Sequence, residues 1–283
     1  MDDDGLIAIW LHGRPPATRR AYAREIAKFR RFLDGISLLS ADLAALQRHL
    51  DGLAGLAPRS QALAIAALKS FFDFQARSGA CADPSVGLRG IKVSRDLAGR
   101  IVAEHDIAKL LSAAAPGRDR VALELLYGAG LRAAELTSLY WRQLADRADG
   151  QGQVTVTGKG GKTRAVLLPA ELWSRIVDLK VNATSSDPVF PADRDPSRPM
   201  GQRQLLRIVK RAAVAAGLSA KVSNHWLRHS HASHALDHGA PIQLVRDTLG
   251  HSSVATTNQY AHARPGASSA SYLGKRKEKQ FPE

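Results

Sequence analysis

The sequence predicts a mainly α (α+β) chain, with a helical N-terminal domain and a mostly helical second domain holding one small antiparallel β-sheet. Three observations predict it. Most segments place apolar residues three and four apart, the spacing of a helix face. Only residues 153–168 alternate apolar and polar positions on both sides of a Gly-rich turn. A polar, basic run at 92–100, KVSRDLAGR, has no apolar periodicity and reads as a linker. The expected organisation is a first domain at 1–91, a linker at 92–101, a second domain at 102–264 and a basic tail at 265–283. At 283 residues the chain is long enough for two domains of ordinary size.

Residues 1–13 read as a loose lead-in or a short helix. A helix follows over 18–33, where Tyr22, Ile26, Phe29 and Leu33 share one side. Arg19, Arg20, Arg24, Lys28 and Arg31 occupy the rest, with only Glu25 among them. A solvated face is the ordinary reading of such charge. Five cations against one acid tilt this face toward phosphate contact. Ser40 is placed to cap a second helix reaching Leu50. Pro58 and Ser60 open a third, with Leu63, Ala67, Leu68, Phe71 and Phe72 apolar. Phe71, Phe72 and Phe74 read as core rather than as base-stacking platforms. Glycines and prolines in 78–90 mark a turn-rich exit.

In the second domain, residues 104–113 are helical, with Ile107, Leu110 and Leu111 apolar. A very apolar helix at 121–127 stops at Gly128-Ala129-Gly130, and Arg132 opens the next helix. Strands at 153–157 and 163–168 flank a turn at 158–162 that carries Lys159, a candidate general acid on a hairpin tip; Lys162 and Arg164 are alternatives for that role or candidates for DNA backbone contact. Residues 169–182 are expected to be helical, and 183–199 to form a long loop rich in Asp, Ser and Pro. The helix at 202–216 carries Arg203, Arg207, Lys210 and Arg211, a second candidate face for phosphates. A short helix at 241–249 has Pro241 in its first turn, an apolar stripe of Ile242, Val245 and Leu249, and Gly250 as its stop. A last short helix at 254–260, with Ser252 or Ser253 near its start, carries Tyr260 at its end.

Composition narrows the partner. Lys and Arg number 40 against 26 Asp and Glu, so the net charge is +14. Residues 1–100 hold 15 of those cations and 10 of the acids, so both halves are basic. Such a balance favours a polyanion, either nucleic acid or an anionic membrane. No stretch approaches the roughly 18 unbroken apolar residues of a membrane span. The first residues, MDDDGLIAIW, are acidic where a secretory signal is basic. Cys81 stands alone, so no internal disulfide is expected. The chain therefore reads as cytoplasmic, without a membrane partner, and nucleic acid becomes the expected polyanion.

Four residue types near the end suit one phosphate: His225, Arg228, His251 and Tyr260. His225 and Arg228 are three apart and share a helix face. Attack on a phosphodiester builds charge on its non-bridging oxygens, and a guanidinium offers a planar fork of donors that matches them. Tyr, with an ordinary pKa of about 10, needs cationic or basic neighbours to act as a nucleophile. His can take or donate a proton near neutral pH. Residues 225–262 also hold seven of the ten histidines, with His225/His229 and His234/His238 spaced i, i+4 as in zinc sites. No Glu follows the first His as in H-E-x-x-H, so structural or near-site roles are the better reading and no metal is expected.

These residues resemble the tyrosine recombinase (phage integrase) family, Xer-like members most closely. The pattern H-x-x-R, then L-G-H, then Tyr nine residues on is matched by His225-Trp226-Leu227-Arg228, Leu249-Gly250-His251 and Tyr260. The family's G-L-R-x-x-E-L is matched by Gly130-Leu131-Arg132-Ala133-Ala134-Glu135-Leu136, and its G-K-G hairpin turn by Gly158-Lys159-Gly160. A lone H-x-x-R carries little information, but six site residues in family order are specific. One departure is His231, where relatives often have an aromatic.

The resemblance implies a DNA breaking–rejoining fold, with a core-binding domain and a catalytic domain that clamp the duplex from opposite sides. It implies that Tyr260 attacks, Arg132 and Arg228 bind the phosphate, Lys159 protonates the leaving oxygen, His225 assists proton transfer and His251 hydrogen-bonds the phosphate. Glu135 would hold Arg132. It implies no cofactor, a specific DNA site, and a homo-tetramer or a heterotetramer with a paralogous recombinase. The tail at 265–283 would dock on a neighbouring subunit; a disordered basic tail is the equal alternative. Three rivals remain: a type IB topoisomerase-like nicking–closing enzyme, a non-catalytic DNA-binding regulator, and a zinc hydrolase using the histidines.

Overall fold

The computed structural model describes residues 2–93, 97–158, 161–251 and 253–261. The chain divides into two units between residues 95 and 96. The mainly helical fold with one small antiparallel sheet is what the periodicity predicts.

The first unit is built of α1 (Asp3–Leu11), α2 (Pro16–Phe32), α3 (Leu43–Asp51) and α4 (Pro58–Arg77). Its first helix is firmly packed rather than loose. Asp2 caps it by accepting from the Gly5 N–H at 2.9 Å. Trp10 is buried, stacked on Tyr22 and edge-on to Phe71. Its indole N–H donates to the Ser70 carbonyl at 3.0 Å, so a large ring is buried with its polar handle satisfied. Ile26, Phe29, Leu46, Leu68, Phe71 and Phe72 fill the space between α2, α3 and α4, as the phenylalanine spacing predicts.

Two details of this unit differ from expectation. The cap of α3 is Asp42, not Ser40: the Asp42 carboxylate accepts from Ala45 N at 2.7 Å, while Ser40 ends a 3₁₀ turn over Leu38–Ser40. A carboxylate two residues nearer the helix reaches its third N–H, which the Ser40 hydroxyl does not. Glu25 is not part of a solvated face. It is buried and bonded to both Arg24 and Lys28, with Lys28 Nζ at 2.9 Å. Arg19 and Arg20 remain exposed on α2.

The second unit contains α5 (Glu104–Ala113), α6 (Arg118–Gly128), α7 (Ala133–Thr137), β1 (Leu144–Asp146), β2 (Gly152–Thr157), β3 (Thr163–Leu168), α8 (Ala170–Val177), α9 (Gln202–Ala215), α10 (Asn224–Asp237), α11 (Ile242–Leu249) and α12 (Val254–Ala261). The sheet is an antiparallel meander in the order β1-β2-β3, with Val154 opposite Val166 and Thr157 opposite Thr163. β1 was not expected, because three residues are too few to show an alternation. Helix α6 is apolar because it is central: Val121, Ala122, Leu123, Leu125 and Leu126 are all buried. α8 stops at Val177 rather than reaching 182. Its buried face ends with Ile176, and Val181 beyond it is 76% exposed, so no apolar contact rewards further turns. The buried Ser230 hydroxyl on α10 accepts from Val102 N at 2.9 Å and ties the start of this unit to its central helices.

The sheet meets α8 at Gly152, where an added Cβ would lie 2.1 Å from the Trp173 ring. Trp173 in turn is fixed by its N–H bond to Asp146 at 2.9 Å. Gly152→Ala should therefore destabilise the protein by about 1–3 kcal/mol, as overpacking does. Gly55→Ala, where an added Cβ meets nothing within 4 Å, should change stability by less than about 0.5 kcal/mol. Urea denaturation of the two variants checks the contrast.

Candidate active site

The site begins with a short helix and two chain reversals. Gly130, at φ 58°, turns the chain from α6 into α7, and an added Cβ there would lie 2.7 Å from the His231 ring. Arg132 then precedes α7 in extended conformation, with its backbone N–H donating to Glu135 Oε2 at 2.8 Å. Gly250, left-handed at φ 63°, ends α11 and turns the chain into His251. Only glycine takes these conformations without strain, which is why both motifs carry one.

Glu135 gathers the cations. Its Oε1 accepts from Arg132 Nη1 at 2.7 Å and from Arg164 Nη1 at 2.8 Å. Its Oε2 accepts from Arg164 Nη2 at 2.8 Å, and Arg228 Nη1 lies 4.0 Å away. The carboxylate is 3% exposed. Burial pushes its pKa up, but the hydrogen bonds from Arg164 and Arg132 outweigh burial and hold it at about 2. The guanidinium groups are anchored a second time on backbone carbonyls of the reversals. Arg132 Nη2 donates to Gly250 O at 3.1 Å. Arg228, buried at 4% exposure, donates to the Gly130 carbonyl and to Leu249 O, the latter at 2.6 Å. Burial and the neighbouring Arg132 lower the Arg228 pKa to about 10, which still leaves a cation at neutral pH.

Arg164, a candidate for DNA contact, has a side chain 13% exposed whose donors go to Glu135 and to Thr248 O, the last at 2.7 Å. It is a strut joining β3, α7 and α11. Arg24 and Lys28, as described above, are likewise bound to a buried acid. Lys162, Arg203 and Arg207 are exposed. Lys162 lies with Arg132, Arg164, Arg246 and His251 around an open groove of about 860 Å³. Lys159 and the tail at 265–283 lie outside the described residues.

The nucleophile candidate meets the second half of the site on α12. The Tyr260 hydroxyl is 2.7 Å from His229 Nδ1, and its ring stacks on His251 with centroids 6.2 Å apart. His251 Nδ1 is 2.9 Å from Thr257 Oγ1. His225, expected to assist proton transfer at the phenol, stacks on His229 one helical turn away, with ring centroids 6.1 Å apart. Burial raises the Tyr260 pKa against the pull of Arg228 and Arg132. Burial and nearby positive charge lower His229 and His251 to about 4 each. At neutral pH the site therefore holds fixed cations, neutral imidazoles and a protonated phenol.

The structure thus brings together Arg132, Glu135, Arg228, His251 and Tyr260, drawn from four separate stretches of sequence. His229 and Thr257 were missed as site residues. His229 had a signal, its i, i+4 spacing from His225, but that spacing pointed to zinc. Among the described residues no group of three His, Cys, Asp or Glu side chains is placed to hold a metal. His234 instead bonds the Tyr127 hydroxyl at 2.9 Å. His231, at the position often aromatic in relatives, acts as an aromatic here: it packs edge-on to Tyr127 and against Gly130.

The chain is similar to known proteins along most of its length. Residues 100–266 match the phage integrase family, and residues 10–79 match the phage integrase N-terminal SAM-like domain. Tyrosine recombinase XerD of Pseudomonas putida is 34% identical over 92% of this chain and 91% of its own length. Tyrosine recombinase XerD of Xanthomonas axonopodis pv. citri is 37% identical over 86% of each. A lambda integrase (75–356) dimer bound to a COC′ core site shares the fold, with TM-score 0.75 and 20% identity over 95% of this chain and 98% of that one. XerH bound to its difH substrate gives TM-score 0.71 and 23% identity over 86% and 75%.

The Glu135 carboxyl, ordinarily near 4.5, is held at about 2 in the folded protein. A depressed acid stabilises the fold fully above its unfolded pKa, and that contribution fades as pH falls through the folded value. Between pH 5 and pH 2 the protein should lose about 3 kcal/mol through this one group. Glu135→Gln should start less stable at pH 7 and lack that share of the acid loss. Urea denaturation across the pH range measures both.

Proposed function

The chain belongs to the phage integrase family and is a tyrosine-type site-specific recombinase, and on that premise we propose how its residues carry the reaction. Tyr260 attacks the scissile phosphate of double-stranded DNA at a specific site. A bond forms from the phenol oxygen to phosphorus and the bond to the 5′ oxygen breaks, leaving a 3′-phosphotyrosyl link and a 5′-hydroxyl. Arg132 and Arg228 take the non-bridging oxygens. His251 donates a hydrogen bond to one of them, and Lys159 supplies the proton to the leaving 5′ oxygen. The energy of the phosphodiester is kept in the protein–DNA bond, so a second 5′-hydroxyl rejoins the strand without ATP.

The observation that carries this reading is the gathering of Arg132 and Arg228 by Glu135 within electrostatic reach of the Tyr260 phenol. Fixed cations aimed where charge develops do not have to reorganise during the reaction, which is where most of their effect arises. The phenol proton has a receiver in His229, whose Nδ1 is already hydrogen-bonded to it, with His225 stacked behind. A phosphate in the groove adds negative charge near these imidazoles and makes them better proton acceptors than they are in the free protein.

The domain roles follow from the same reading. Residues 1–91 hold DNA through exposed cations such as Arg19 and Arg20, and residues 102–264 carry the chemistry, with Lys162, Arg203 and Arg207 on the backbone. Two sites exchange strands within a tetramer, either of this chain alone or with a paralogous recombinase. No described helix is long and apolar enough to cross a membrane.

The test uses nicked genomic fragments, on which the broken strand diffuses away and traps the covalent adduct. Wild type should form protein–DNA adducts whose sequenced ends share one site. Tyr260→Phe should form none while still binding DNA. Arg228→Lys should slow adduct formation by about 10²–10³, the usual effect of losing a donor to developing charge. Adducts from the Tyr260→Phe variant would overturn the assignment.

A further inference from the structure

Helix α12 carries a second polar side chain aimed into the site. Thr257 is fully buried, three residues before Tyr260 on the same helix face. Among the described residues its hydroxyl has one hydrogen-bond partner, His251 Nδ1 at 2.9 Å. The direction of that bond is fixed by burial. If the ring donated to the hydroxyl, the threonine O–H would itself be left buried without an acceptor, a costly arrangement. If the hydroxyl donates, both groups are satisfied. Nδ1 is then the lone-pair nitrogen, and the neutral imidazole carries its proton on Nε2.

His251 also lines the groove beside Arg132, and its Nδ1 edge is the one turned to Thr257. We propose that Thr257 is a positioning residue that fixes His251 as the Nε2–H tautomer, so that a neutral histidine presents an N–H donor to the phosphate. The role rests on the recombinase reading given above. It explains why a neutral imidazole suffices where a cation would be expected. Arg132 and Arg228 already surround His251 with positive charge, which disfavours a third cation at that point. A neutral ring helps an oxyanion only through a correctly placed N–H, and the wrong tautomer would face it with a lone pair.

The experiment has two arms on the full chain. In the first, ¹⁵N-labelled histidine spectra at pH 7 without DNA report the His251 tautomer. Wild type should show Nε2–H with a hydrogen-bonded Nδ1. Thr257→Val, which keeps the shape and removes the hydroxyl, should lose that Nδ1 signature and gain the other tautomer. Thr257→Ser should restore wild type. In the second arm, Thr257→Val should slow adduct formation on nicked DNA about three- to tenfold, the size of one neutral hydrogen bond. Its DNA affinity should be unchanged, and Thr257→Ser should recover the rate. An Nδ1–H tautomer or an imidazolium in wild type at pH 7 would overturn the proposal. So would a Thr257→Val variant with unaltered spectrum and rate. The first arm needs no DNA chemistry. A wild type with the stated tautomer but no adduct would remove the recombinase mechanism and leave the tautomer assignment standing.

Discussion

A single buried carboxylate makes the rest of the site possible. Arg132, Arg164 and Arg228 come from separate parts of the second unit and carry like charges that would otherwise repel across a small space. Glu135 accepts from two of them and lies 4.0 Å from the third. Its one negative charge leaves the group net positive, so the cluster is assembled without being neutralised. Further donors of the three are anchored on the carbonyls of Gly130, Thr248, Leu249 and Gly250. Those two reversals are thus electrostatic parts of the site as well as turns. A buried ion cluster is weak evidence for stability in itself, because desolvation offsets much of its attraction. Its value here is geometric: it holds α7, β3, α10 and α11 in one arrangement before any substrate arrives.

The legible and illegible parts of the sequence divide along physical lines. Helices with a single buried face, α2, α4, α5 and α9, show in the 3.6-residue spacing of residues such as Ile26, Phe29 and Leu33. The hairpin shows in alternation, with Val154 and Val166 paired across it. Gly250 shows because a left-handed stop after an apolar stripe has few alternatives. What stayed hidden depends on tertiary partners. Nothing in the neighbourhood of Arg164 says that its guanidinium meets a carboxylate 29 residues earlier. Nothing near Thr257 says that its hydroxyl meets a ring six residues back. Ser40 was a plausible cap, but Asp42, two residues on, is the one in register with the helix N–H groups. His229 was visible, but a histidine pair at i, i+4 reads the same whether it chelates or stacks.

The cluster also settles the charge state of its surroundings. Burial first, and then nearby positive charge, holds both histidines at about 4: Arg228, Arg132 and Arg164 act on His251, while His225, Arg100 and Arg228 act on His229, so neither shares the positive charge in the free protein. Division of labour follows. In the proposed mechanism the arginines supply charge, while the histidines supply direction, His251 as a donor and His229 as an acceptor.

Helix α12 then joins the two roles mechanically. Tyr260 and Thr257 lie on one face of the same eight-residue helix, the first bonded to His229 and the second to His251. Tyr260 is 5% exposed, so its phenol reaches a phosphate only if the helix end shifts or the ring leaves His229. A shift of the helix end moves Thr257 too, and with it the hydroxyl 2.9 Å from His251 Nδ1. In the proposed mechanism, the nucleophile Tyr260 and the residue that orients the phosphate donor His251 are three residues apart on one short helix and are not set independently. A helix this short has little stability of its own and takes its order from what it packs against. In this site those contacts are the same groups that would receive the phosphate, so the position of α12 responds to whatever occupies the groove.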